Sequence, residues 1–128
     1  MKGFGADWRD AYPGINAVTL MELKDPPDPR RLEILPVVTY AVKQRVQRGT
    51  QDYWDFATLL ELAVLAKDEV SATENLASAL AAVRESWEPE TTLRNLRLIQ
   101  EARERRCEND FSLFTEIESE LKQKAGLA

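Results

Sequence analysis

The sequence contains no histidine and a single cysteine, Cys107. The first absence removes the commonest general base and the commonest metal ligand; the second rules out an intramolecular disulfide, a CxxC pair and a cysteine zinc site. Glycine is scarce, with five residues, and none falls into GxGxxG or GxxxxGK[ST], so no phosphate-cradling loop is written into the chain. No apolar run approaches about 18 residues, and no basic segment precedes an apolar one at the N-terminus. A membrane span and a secretory signal are therefore not expected, and the expected location is cytoplasmic. Strand patterning is nearly missing too, since no stretch alternates apolar and polar positions for long. What remains is a chain of 128 residues, 44% hydrophobic and 30% charged, enough for one modest core. Its formal charge of -5 disfavours nucleic acid as a partner.

Apolar residues recurring at three and four positions predict an all-α chain of about six helices. The first starts near Asp10 or Tyr12, with Asp10 as cap and Pro13 in the first turn, and ends near Leu23. The segment Asp25-Pro26-Pro27-Asp28-Pro29 stops it, because each proline removes a donor and biases its predecessor away from helix. Asp28 caps a second helix carrying Leu32, Leu35, Val38, Val42 and Val46 toward Gly49, with Pro36 either kinking or dividing it. Thr50 or Asp52 caps the third, whose broad apolar face from Phe56 to Leu65 makes it the most buried. Asp68 caps the fourth, with Ala72, Leu76 and Ala79 on one stripe. Pro89 opens the fifth, with Leu93, Leu96, Ile99 and Ala102 inward, and Asn109 or Asp110 caps a sixth through Ile117 and Leu121.

The pairs begin near residues 12, 51 and 88, a recurrence of roughly 37 to 39 residues. That period, with the small-residue spacing of Ala72, Leu76 and Ala79, favours a tetratricopeptide-like helical-hairpin solenoid. The abrupt, uncapped Lys2-Gly3-Phe4 reads as part of the end of a preceding helix over residues 1–8. Residues 1–128 are then one helical-repeat domain of a longer protein.

Three blocks are more specific than the periodicity: Asp10-Ala11-Tyr12-Pro13-Gly14-Ile15-Asn16, then Tyr53-Trp54-Asp55, then Trp87 followed by Asn95-Leu96-Arg97-Leu98-Ile99. Their order and spacing from about Phe4 to Arg106 resemble the TRAF-binding-type domain of the central regulatory region of apoptosis-signal-regulating MAP kinase kinase kinases, and of related bacterial tetratricopeptide proteins. The resemblance implies a helical regulatory module that organises signalling assemblies and implies no catalysis. The kinase of the animal proteins has no counterpart, since Gly-rich loop, HRD and DFG are all missing.

Asn16 and Asn95 are poor helix formers inside helices, and the simplest reason for them is a hydrogen bond across to a neighbouring helix. Tyr12, Tyr53, Trp54 and Trp87 stand at helix starts, where an aromatic can close the joint between units or serve as a contact hot spot. Asp55 and Glu61 are separated by about 600° of helical rotation and make no carboxylate pair. No serine has a histidine or an S-x-x-K lysine to activate it. Cys107, among cationic neighbours, reads as an incidental surface thiol before a redox site. Arg94, Arg97, Arg103, Arg105 and Arg106, interleaved with Glu101, Glu104 and Glu108, read first as a solvated, salt-bridged face and second as a stripe for an acidic partner.

The expected function is a non-catalytic regulatory scaffold that needs no cofactor or metal. Its partner is a protein, either a peptide segment or a neighbouring domain of the same chain, gripped on a concave face made by the first helix of each unit. The partner-binding or joint residues are Asp10, Tyr12, Asn16, Tyr53, Trp54, Asp55, Trp87 and Asn95. A small-molecule sensor using an inter-repeat pocket and a homo-oligomerisation module are the alternatives.

Overall fold

The computed structural model describes residues 13–49, 51–108 and 111–126. Asp10, Tyr12 and the suggested caps Thr50, Asn109 and Asp110 lie outside the described residues. Six helices follow in order: α1 Pro13–Leu23, α2 Arg31–Arg48, α3 Tyr53–Ala66, α4 Glu69–Ala81, α5 Trp87–Arg105 and α6 Ser112–Ala125. No helix among the described residues is long and apolar enough to cross a membrane.

Local chemistry explains most of the boundaries. Asp52 and Asp55 form a reciprocal capping box at the start of α3: the Asp55 N–H donates to Asp52 Oδ1 at 3.1 Å, and the Asp52 N–H donates to Asp55 Oδ2 at 3.3 Å. Lys67 ends α3 in the left-handed region, with φ of 59°, and its N–H returns to the helix while Asp68 N–H reaches the Ala63 carbonyl. Asp68 then turns outward to accept from Ser71 N–H and cap α4. The tight α3–α4 hairpin is thus two terminators in succession. Asp28 caps the turn before α2 by accepting from Arg30 N–H at 3.0 Å, so that helix begins at Arg31 rather than directly after Pro29. Pro36 does not divide α2, which runs unbroken past it, although the Leu32 carbonyl loses its helical donor there. The fifth helix begins two residues before Pro89, at Trp87. There the buried Glu88 carboxylate accepts from the N–H groups of Arg84 and Glu85 and from the Arg84 guanidinium, fixing the α4–α5 loop.

The helices form three successive hairpins, α1–α2, α3–α4 and α5–α6, each packed within itself. Ala72 and Ala79 on α4 are fully buried and Leu76 nearly so, and their small side chains allow the close α3–α4 packing. Along the seam between α3 and α5 the pairs Tyr53–Thr92, Glu61–Asn95 and Val64–Arg103 advance together, so the two helices run side by side in the same sense. This is the relation expected of equivalent helices in consecutive repeats.

The first helices α1, α3 and α5 all touch one another, however, and α1 meets α5 directly. They converge instead of lining an open trough, so the expected concave face is filled by the molecule itself. Every residue of α3 from Ala57 to Leu65 is buried, the signature of a helix surrounded on all sides. Gly14, inside the first motif block, sets the α1–α2 approach: a Cβ there would lie 2.8 Å from Val38 Cγ2. Gly14→Ala must displace a stiff β-branched side chain, outweighing alanine's better helix propensity.

Candidate functional site

Among the described residues, those flagged by the sequence do not share one cleft. Tyr53, Trp54 and Trp87 come together where α3 and α5 begin: the Trp54 and Trp87 rings lie 5.7 Å apart, and Tyr53 meets the edge of Trp54 at 5.0 Å. Tyr53 is completely buried and its hydroxyl donates to Thr92 Oγ1 at 2.7 Å. Burial, with the Glu61 and Glu88 carboxylates adding to it, pushes the Tyr53 phenol far above its ordinary value although the Thr92 bond works the other way. Tyr53 is a neutral strut. Trp87 is 49% exposed and is the open part of this corner. Asp55 is occupied in the capping box. Asn95 donates to the buried Glu61 carboxylate at 3.4 Å, between α5 and α3, and Asn16 is half-buried on α1.

At the opposite end of the same helices stands a feature missing from the sequence reading. Glu22, near the end of α1, is buried and takes hydrogen bonds from three guanidinium groups: Arg31 at 2.9 Å, Arg103 at 3.1 Å, and Arg106. Burial works to raise the Glu22 carboxyl, but the hydrogen bonds and charges, led by those of Arg103, outweigh it and hold the group below its ordinary range. Arg103 also donates to the Val64 and Leu65 carbonyls, closing the C-terminal end of α3, and Arg106 donates to the Glu22 carbonyl at 2.7 Å. Glu108 extends the network, pairing with Arg106 at 3.0 Å and with Lys67 at 3.2 Å.

The arginine stripe therefore needs correcting. Arg103 is 4% exposed, and Arg106 is tied into the same network rather than lying on a solvated face or a partner stripe. Arg97, by contrast, is a surface residue paired with Glu118 on α6. The sequence did carry a signal for the network. Glu22 falls seven residues after Ile15 and four after Val18 on the buried face of α1, and Arg103 falls four after Ile99 on that of α5. A charge in core register requires a buried counter-charge. Cys107 is exposed and follows α5 in the left-handed region, with φ of 63°.

Beside the ion network lies a groove of about 590 Å³, bounded by one face of α2 and by the last turn of α3. Its apolar lining includes Leu32, Leu35, Pro36, Tyr40 and Leu65; Arg31, Lys43 and Lys67 stand with them, while Glu22 and Arg103 supply the ionic part. Leu35 and Leu65 are buried, whereas Leu32 and Tyr40 are 62% and 67% exposed. Its lining thus combines apolar side chains with cations and one carboxylate.

Fold and site together define a helical-hairpin domain with a largely apolar groove beside a buried ion network. The profile of the MAP3K TRAFs-binding domain family matches residues 1–117, and the chain belongs to that family of protein-interaction modules. The match takes in all of α1 to α5 and extends into α6, beyond the Arg106 limit of the motif resemblance. No curated protein and no solved structure gives a match.

Proposed function

We propose that this chain is a non-catalytic regulatory scaffold, a cytoplasmic domain of a longer signalling protein that binds a segment of a partner or a neighbouring domain of its own chain. Family membership over residues 1–117 carries the reading. Several site features support it. Tyr53 is buried in the α3–α5 joint, and the groove sits on helices fixed by the core and ion network, with exposed side chains ready for contact. Rigid elements presenting an apolar surface with a polar rim suit recognition of another polypeptide.

The test is calorimetric titration of the purified chain with purified TRAF-family domains and with the domains that flank it in its parent protein. At least one is expected to bind at micromolar Kd or tighter, and a metabolite panel should leave Tm unchanged. A small molecule that raises Tm by several degrees, with none of those protein domains binding, would instead establish a sensor.

A further inference from the structure

Resting on that protein-binding reading, we infer that the groove between α2 and the end of α3 docks a short amphipathic helix of the partner, with leucine or aromatic anchors on one face and an acidic flank. Leu32, Pro36 and Tyr40 follow at i, i+4 and i+8, a ridge about 12 Å long, which matches roughly two turns of a second helix. Leu35 and Leu65 furnish an apolar floor that is already buried, while Leu32 and Tyr40 project with most of their surface in water. An incoming anchor covers both without rearranging the core. Pro36 adds one acceptor, since the Leu32 carbonyl has no helical N–H to bond.

Charge selects the occupant. The whole chain carries -5, yet the groove lining holds Arg31, Lys43, Lys67 and Arg103 against one carboxylate, Glu22. The excess survives the internal pairing, because Glu22 and Glu108 are the two anions serving Arg31, Arg103, Arg106 and Lys67. Lys43 stands outside those pairs, exposed on the groove face of α2. A peptide bringing one or two carboxylates complements this field. A nucleic acid does not fit it, since phosphate neutralisation needs several uncommitted cations and most of these are engaged with Glu22 and Glu108. A second copy docked groove to groove would set Lys43 and Lys67 against their own equivalents.

The experiment pans a displayed library of helical peptides, about 16 residues each with varied charge, on the full chain, and measures enriched sequences by fluorescence polarisation. Enriched peptides are expected to combine leucine or aromatic residues at i and i+4 with Asp or Glu on the flank. Their Kd should weaken at least about tenfold for Tyr40→Asp and for Lys43→Glu and stay unchanged for Trp87→Ala. Tyr40 and Lys43 are both exposed, so an unchanged Tm shows that their variants fold. Enrichment of basic or uncharged sequences, no enrichment at all, or hits indifferent to the Tyr40 and Lys43 variants would overturn the proposal. Those results leave the protein-binding reading standing, since it falls on the separate titrations with whole domains and metabolites.

Discussion

The two ends of the α3–α5 seam solve the same problem with different chemistry. Where the helices begin, Tyr53, Trp54, Trp87 and Thr92 close the joint with rings and one short hydroxyl bond. Where they finish, Arg103 spans to the α3 carbonyls and to Glu22 of α1, and Arg106 joins it. The rings and hydroxyls that close the aromatic end are neutral and leave little unpaired when one is trimmed, although the buried Glu88 carboxylate stands beside them. The ionic end buries charges whose solvation was given up on folding, so each depends on the others. Fixing three elements at one carboxylate makes the ionic end the more brittle, and it is the end that supports the groove.

The widest separation between the ends is expected from Glu22→Gln. It leaves Arg103 and part of Arg106 buried without their anion, and the expected loss is about 3 to 5 kcal/mol, seen as a Tm lower by roughly 10 °C or more. A loss under about 1 kcal/mol would show that the network is a bystander. The same comparison extends to pH. Because the folded Glu22 carboxyl is held below its ordinary value near 4.5, its stabilisation is fully present above that value and is lost as pH falls through the lower folded one. Glu108 and Glu118 are lowered as well and act in the same direction. Thermal unfolding followed from pH 7 to pH 3 should fall steeply at the acid end in the parent chain and less steeply in Glu22→Gln; parallel profiles would remove Glu22 from the account.

At the aromatic end the expected effects are smaller. Tyr53→Phe removes one hydroxyl bond while Thr92 keeps its contact with the Glu88 carbonyl, and a loss of about 1 kcal/mol in urea unfolding is expected. A loss as large as that of Glu22→Gln would erase the contrast between the two ends. Thr19, on α1, has a buried hydroxyl with no partner among the described residues. Thr19→Val keeps the shape, drops that unpaired group, and should be neutral or raise stability by up to about 1 kcal/mol by the same measurement.

Much of the fold was legible residue by residue. Asp52 and Asp68 cap the helices predicted for them, and Ala72, Leu76 and Ala79 pack as their spacing implied. These are local matters of capping, propensity and period. The groove was less legible, because exposed Leu32 and Tyr40 acquire meaning only once the end of α3 lies opposite α2. Pro36 was ambiguous for a related reason: whether a helix survives an internal proline depends on the packing around it.

By itself the sequence determined an all-helical chain of paired helices, the family it belongs to, and the burial of α3, since all of these follow from patterns a few residues long or from blocks that stand in order. Only the tertiary structure decided that the first and third hairpins meet, that α1 lends Glu22 to Arg103, 81 positions away, and that a cation-rich groove opens above them. Periodicity tells which face of a helix is inward; it does not tell which other helix will be there. For a buried charge, that partner is what separates a stable ion pair from an unpaired one.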